Sequence, residues 1–283
     1  MLVMTMLVRN EEDILRANLD FHLAMGVDHV IATDNCSEDG TIDILRDYER
    51  QGVLTLFFED EDTYDQAVWV TRMARLAASK WGARWVINND ADEFWWPFEG
   101  NLKSALSAIP DEAQTVLATR TNFVAIEPAG EVFHQYMVYR EVHSVNGIGR
   151  PLPPKVCHRG SVDVVVATGS HTVRWENSDA DPVVAKEHPV EILHFPLRSY
   201  SQFDAKIRLG GAAVERNSTL PKRASGVWRQ LYKTYLAGGL PAYYKSQTVS
   251  PDEAADRVAK GVLIRDTRLA DWFTLQHAER SHQ

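Results

Sequence analysis

Between residues 2 and 88 the chain alternates short apolar runs with segments of helical period. Runs 2–8, 27–33, 53–58 and 85–88 are short, apolar and bounded by turn residues, as buried strands are. The segment after the first run opens on Asn10, a good helix cap, with Glu11, Glu12 and Asp13 where acids suit a helix dipole. Ile14, Leu15, Leu19 and Leu23 give it an apolar stripe, and Gly26 ends it. Residues 41–51 repeat the pattern with Ile42, Leu45 and Tyr48 on one side, and 64–80 supply a third helix. The order β-α-β-α-β-α-β predicts an α/β fold: a mainly parallel, Rossmann-like sheet with helices on both faces.

Ligands of such sheets bind beyond the carboxyl ends of the strands. The polar clusters of this chain fall at those ends: Arg9-Asn10-Glu11, Asp34-Asn35, Glu59-Asp60 and Asp90-Ala91-Asp92. The last belongs to WVINNDADEFWWP, where Asp90, Asp92 and Glu93 lie against Phe94, Trp95 and Trp96. Carboxylates beside so much apolar surface repel one another and lose hydration. In an extended segment Asp90 and Asp92 face one side, and two carboxylates facing one space call for a cation. A hard divalent ion with oxygen ligands, Mg2+ or Mn2+, suits them and also accepts phosphate oxygens. Trp95 and Trp96 offer either an apolar platform for a ligand or core packing beneath the site.

Four stretches resemble the family 2-like glycosyltransferases of the GT-A fold. MLVRNEED resembles their opening strand and nucleotide loop, and ATDNCSEDGT the segment after strand two. WVINNDADEF resembles the D-x-D metal site in its D-x-D-E-F variant, and LHFPLRSYSQFDAKI a late histidine-and-basic segment. The resemblance implies a nucleotide-sugar donor, most often a UDP-sugar, bound with Mn2+ or Mg2+. By position it makes Asp92 the metal ligand and Asp90 the residue that reaches the ribose or the metal. It places Asp34 at the base or ribose, lines the nucleoside with Arg9, Asn10 and Glu11, and puts Glu59 in the same pocket. Arg72 is a further candidate for the nucleotide, from the helix before the metal strand. A late histidine often completes such metal sites; His194 is preferred over His171 and His158. Arg198, Lys206 and Lys155 are candidates for diphosphate contacts.

The second half is less patterned. Residues 102–109 read as a helix, and 115–119, 133–142, 162–167 and 191–195 as strands. Ser199 opens a capped helix to about residue 209. Beyond Gly210-Gly211 the chain reads as a helical C-terminal extension. The expected organisation is a glycosyltransferase domain over 1–210, with a nucleotide half 1–100 and an acceptor half 101–210, followed by the extension 211–283. An inverting transfer needs a general base. Glu127, Glu131, Asp163 and Glu176 are conceivable, but none stands in a readable motif. Inversion is expected of family 2 relatives.

Charge narrows the partners. Residues 1–100 carry 20 acids against 8 Lys and Arg, which argues against a nucleic-acid surface. Residues 198–245 carry 9 Lys and Arg and two acids, Asp204 and Glu215, and could approach phosphates. No apolar run is long enough for a transmembrane segment, and the start reads as a strand rather than a signal peptide. Two unclustered cysteines, Cys36 and Cys157, suit a reducing cytoplasm. The expectation is a cytoplasmic, metal-dependent transferase that moves a sugar from a nucleotide-sugar to a saccharide or other hydroxyl acceptor. A nucleotidyltransferase is the competing enzyme, disfavoured because RNEED is not a Gly-rich basic loop. A non-catalytic nucleotide- or carbohydrate-binding protein is the third reading.

Overall fold

The structure, a computed structural model, describes residues 1–127, 130, 132–218, 220 and 225–280. The alternating half folds as β1 (Leu2–Val8), α1 (Leu15–Ala24), β2 (His29–Asn35), α2 (Thr41–Arg50), β3 (Leu54–Glu59), α3 (Gln66–Trp81) and β4 (Trp85–Asn89). There follow β5 (Glu93–Pro97), α4 (Leu102–Ser107), β6 (Thr115–Asn122), α5 (Phe133–Tyr136), β7 (Tyr139–Glu141), β8 (Lys155–Arg159), β9 (Val164–Val166), β10 (Val173–Trp175) and β11 (Val190–His194). The chain ends in α6 (Tyr200–Arg216), α7 (Gly226–Leu236), α8 (Leu240–Gln247), α9 (Pro251–Ala259), β12 (Leu263–Arg265) and α10 (Arg268–Arg280).

The main sheet has the order β3-β2-β1-β4-β8-β6-β11-β5. Strands β3, β2, β1 and β4 are mutually parallel, as the βαβ alternation requires. β8 runs antiparallel between β4 and β6, β11 is parallel to β6, and β5 closes the edge antiparallel to β11. The fold is thus α/β with a mostly parallel sheet flanked by helices. One large core lies under α1, α2, α4 and α10, and a second joins α3 to β9 and β10. No helix of the described residues is long and apolar enough to cross a membrane.

The β4–β5 connection shapes the rim. In sheet order the two strands are four inter-strand steps apart, about 19 Å in a flat sheet. Residues 89 to 93 span at most about 15 Å. The sheet must therefore curl, and its curl brings the turn after β4 against the end of β11.

Several local readings change. Asn10 does not cap α1. Its φ is +53°, in the left-handed region, and the helix begins at Leu15. The Asn10 Oδ1 accepts instead from the Glu38 N–H at 2.7 Å, tying the first loop to the second. Residues 133–142 form the short helix α5 and the short strand β7 rather than one strand. Residues 94–96 are part of a strand, with Trp95 fully buried and its Nε1 donating to Asn89 Oδ1 at 3.0 Å. Trp96 stacks on Phe21 and under Arg268. Both tryptophans are core, not a ligand platform.

Gly210-Gly211 does not break a helix. α6 runs through both, and α7 packs against them. A Cβ at Gly210 would lie 2.5 Å from the Trp228 ring, and one at Gly211 2.6 Å from the Tyr232 ring. The glycines permit close helix contact. Gly211→Ala should therefore cost about 1–3 kcal/mol by overpacking, more than the ~1 kcal/mol that alanine gains in helix propensity. A raised urea midpoint in this variant would refute the reading. The residues after 210 are not detached from the sheet domain. β12 pairs with β7, while Leu269 and Phe273 of α10 enter the main core.

Two buried histidines give the fold an acid limit. His22 contacts the Asn18 carbonyl through Nδ1 at 2.8 Å and accepts the Trp95 N–H on Nε2 at 3.2 Å. That arrangement uses the neutral ring on both sides. His158 sets Nδ1 on the Arg159 carbonyl at 2.8 Å. Burial pulls both down to about 4. Their folded pKa lies below the unfolded value, so the unfolded chain binds more protons between the two. Stability is then complete above about pH 6.5 and falls on acidification, by about 1.4 kcal/mol per pH unit for each ring. Urea midpoints measured from pH 7 to 4.5 should decline, and His22→Gln should flatten the slope by about one ring's share.

Candidate functional site

The Asp90-Ala91-Asp92 turn is held from below by amides. Asn18 on α1 donates to the Ala91 and Glu93 carbonyls at 2.9 and 2.8 Å. Asn89 donates to Asn18 Oδ1 at 3.1 Å, and Thr5 donates to Asn88 Oδ1 at 2.7 Å. The Phe195 N–H reaches the Asp92 carbonyl at 2.8 Å, which locks the turn to the end of β11. Asn18 thus meets the buried backbone acceptors of the turn, and Asn89 holds Asn18 in place while accepting from Trp95 Nε1 at 3.0 Å.

The cost of the acids is offset by cations from distant segments. Lys155, fully buried on β8, places Nζ 2.6 Å from Asp90 and 3.2 Å from Glu93. Arg120 on β6 takes the other Glu93 oxygen at 3.0 Å. Lys206 on α6 sits 2.6 Å from Asp92 and 3.7 Å from Glu11. Arg198 is 1% exposed and joins Glu11 at 2.5 Å to Asp13 at 2.6 Å. Burial alone would raise the Asp92 carboxyl, but Lys206 foremost holds it well below the usual carboxylate range. Burial prevails at Glu11 and Glu93, whose carboxyls are pushed up. Burial opposes the Lys206 charge, yet Asp92 and Glu11 raise the ammonium above an ordinary lysine. The acids expected to await a metal are thus already matched by lysine and arginine.

One oxygen of Asp92 is an exception. His194 Nδ1 lies 2.8 Å from Asn122 Oδ1. The Asn122 amide nitrogen donates to Glu141 Oε2 at 3.0 Å and to the Val145 carbonyl at 2.8 Å, so its oxygen must be the acceptor. His194 therefore donates from Nδ1, and burial pulls the ring down to about 3, so it is neutral near pH 7. Its Nε2 lone pair then faces Asp92 Oδ1 at 3.7 Å. Two acceptors facing each other form a pair that a cation would bridge. The donor set, one carboxylate oxygen and one imidazole nitrogen, fits a divalent ion whose other ligands come from diphosphate. Asp90 lines the same rim, with its Oδ2 engaged by Lys155 at 2.6 Å. Among the described residues no group of three or more His, Cys, Asp or Glu is arranged to hold a metal.

A cavity of about 640 Å³ opens over this rim. Arg9, Asn10, Glu11, Asp90, Asp92, His194 and Lys206 line it, as does His171. Other candidates do not. Asp34 is 2% exposed and accepts the Ser37 N–H at 3.1 Å beneath the second loop, while its neighbour Asn35 lines the cavity. Glu59 pairs with Arg72 at 2.6 Å, outside the cavity lining. Arg198 and Lys155 are buried behind the wall and hold carboxylates, so the structure does not present them to a diphosphate. His158 is buried against Arg159. Of the conceivable bases, Glu176 pairs with Arg75 at 2.8 Å and Asp163 bonds Ser161 at 2.7 Å. Neither those two nor Glu127 lines the cavity, and Glu131 lies outside the described residues.

Sequence reasoning missed the aromatic wall. Tyr64, Trp69, Phe203, Trp228 and Tyr243 line the cavity, with Tyr64 and Trp228 rings 5.7 Å apart. It also missed Asn122 and Glu141. Trp228 and Tyr243 come from α7 and α8, so the C-terminal helices form part of the site.

A model of glycosyltransferase family 92 matches residues 3–231. No curated protein matches the chain. Among solved structures, S. aureus TarS 1–349 in complex with UDP is 12% identical over 83% of this chain and 72% of that one, with a TM-score of 0.41. The Pyrobaculum calidifontis mannosyltransferase PcManGT in complex with GDP-Man and Mn2+ is 16% identical over 98% and 79%, with a TM-score of 0.42. Mycobacterium tuberculosis glucosyl-3-phosphoglycerate synthase, in complex with Mn2+, UDP and phosphoglyceric acid, is 16% identical over 42% and 43%, with a TM-score of 0.29.

Proposed function

Since the chain belongs to glycosyltransferase family 92, we propose that it transfers a sugar from a nucleotide-sugar, a UDP-sugar, to a hydroxyl acceptor such as a saccharide, with Mn2+ or Mg2+ bound at Asp92 and His194. The observation that carries the metal is the unprotonated His194 Nε2 turned onto Asp92 Oδ1 at 3.7 Å. The bound ion would supply Lewis-acid stabilisation of charge on the diphosphate. Residues 1–100 serve as the nucleotide half, with Arg9, Asn10, Glu11 and Asn35 along the nucleoside, and 101–210 as the acceptor half.

In the transfer the acceptor oxygen bonds the anomeric carbon, the bond from that carbon to the diphosphate breaks, and its electron pair leaves on a phosphate oxygen. Lys206 is the chain's own answer to that charge. Its ammonium lines the cavity, is partly exposed, and stays protonated because Asp92 and Glu11 flank it. A fixed cation where charge develops lowers the barrier without reorganisation. Asn122 keeps the His194 tautomer by accepting its Nδ1–H. The aromatic wall, with Trp228 and Tyr64, offers apolar faces to a sugar ring.

A thermal-shift screen of UDP, GDP and their sugars, with and without MnCl2, tests this directly. Binding of UDP at a hundred times its Kd should stabilise by about 2.7 kcal/mol, and Mn2+ should enlarge the shift. Pyrophosphate release from a nucleoside triphosphate, with no UDP release from any UDP-sugar, would overturn the assignment.

A further inference from the structure

The carboxylates that line the cavity, among the described residues, are Glu11, Asp90, Asp92 and Glu141. Each of the first three is committed to a buried or flanking cation: Glu11 to Arg198, Asp90 to Lys155, Asp92 to Lys206. Glu141 forms no ion pair with a described Lys, Arg or His. It ends β7, which lies beside the end of β6 through the Phe123–Arg140 bridge. Asn122 ends β6 and is paired in register with His194 of β11. One amide thus stands between Glu141 and the metal pair, donating to the first and accepting from His194.

From this placement we propose that Glu141 is the general base, removing the proton of the acceptor hydroxyl in a single displacement that inverts the anomeric carbon. The inference rests on the glycosyltransferase reading. The acceptor oxygen forms its bond to the anomeric carbon from one face. The bond to the diphosphate breaks on the other with its electron pair, and the proton passes to Glu141. The surroundings suit that task. Its hydrogen-bond donors are neutral: the Asn122 amide, the Ser144 hydroxyl and the Val145 N–H. Such donors aim a carboxylate without the counter-ion that would make it a poor proton acceptor. Burial pushes the carboxyl up. Leu263 lies opposite on β12, the neighbouring Arg140 is paired with Asp266, and the field of Arg257 opposes the burial effect.

The test compares the full chain with Glu141→Gln, Glu141→Asp and, as an off-site control, Glu127→Gln. Binding of UDP with MnCl2 is followed by calorimetry. UDP release from UDP-hexoses is followed with water or free monosaccharides as acceptors. Glutamine can still accept from Asn122, so a positioning role would survive in Glu141→Gln. A base would not: kcat should fall about 10²–10⁴-fold, with UDP binding unchanged within about twofold. The acidic limb of the kcat/KM profile should vanish in Glu141→Gln and persist in Glu141→Asp, and product from the wild type should have inverted configuration. Retained configuration, or a Glu141→Gln enzyme as fast as wild type, overturns the assignment while leaving the transferase reading intact. A wild-type chain that neither binds UDP nor turns over a UDP-sugar overturns both.

Discussion

Asp92→Asn should lower kcat/KM for sugar transfer by about 10²–10³-fold, and it should abolish the part of the UDP-induced thermal shift that depends on Mn2+. The substitution keeps shape and an acceptor for Lys206 but removes the charge facing His194 Nε2. An amide oxygen can still ligate a hard cation but brings no charge, and affinity for such ions falls with the ligand charge count. The fold should survive. Lys206 retains Glu11 at 3.7 Å, and Arg198 retains Glu11 and Asp13. The expected stability loss is about 1–3 kcal/mol, or a few degrees per kcal/mol in a chain of this size. Steady-state kinetics beside a melting curve separate the two effects. Undiminished kcat/KM in Asp92→Asn would remove Asp92 from the chemistry.

Lys155→Met should be the costliest single change away from the reacting groups, at about 3–5 kcal/mol. Lys155 and Glu93 are both fully excluded from solvent. Without the ammonium, Glu93 keeps Arg120 on one oxygen, and its Oε2 already lacks a hydrogen-bond partner. Asp90 would lose its contact at 2.6 Å as well. An uncompensated buried charge costs far more than the pair contributes, so the double variant Lys155→Met, Glu93→Gln should recover a good part of the loss. Urea denaturation of the single and double variants measures the coupling. Equal stability of Lys155→Met and wild type would show that Lys155 is not needed to neutralise Glu93.

The motifs in the first hundred residues resemble a family 2-like glycosyltransferase, whereas the family model that matches is family 92. The coarse enzyme class was legible because the loops that carry it are short and lie at strand ends. Roles within the class were less so. Arg198 and Lys155 read as phosphate contacts from their charge, yet both are buried counter-ions. Arg72 sits on the helix before β4, but its guanidinium turns to Glu59 at 2.6 Å. The glycine pair in α6 reads as a stop, since nothing local reveals that Trp228 and Tyr232 lie against it. Glu141 carries no motif; only the position of β7 beside Asn122 brings it to the cavity.

The sequence by itself determined the sheet of parallel strands and the edge on which its polar loops gather. Apolar period and turn residues act over a few positions, so they can be read along the chain. The tertiary structure alone decided how the acids are neutralised. Asp90 meets Lys155 from 65 residues away, Asp92 meets Lys206 from 114, and Asp13 meets Arg198 from 185. Coulomb attraction depends on separation through space and on burial, neither of which leaves a period in the sequence.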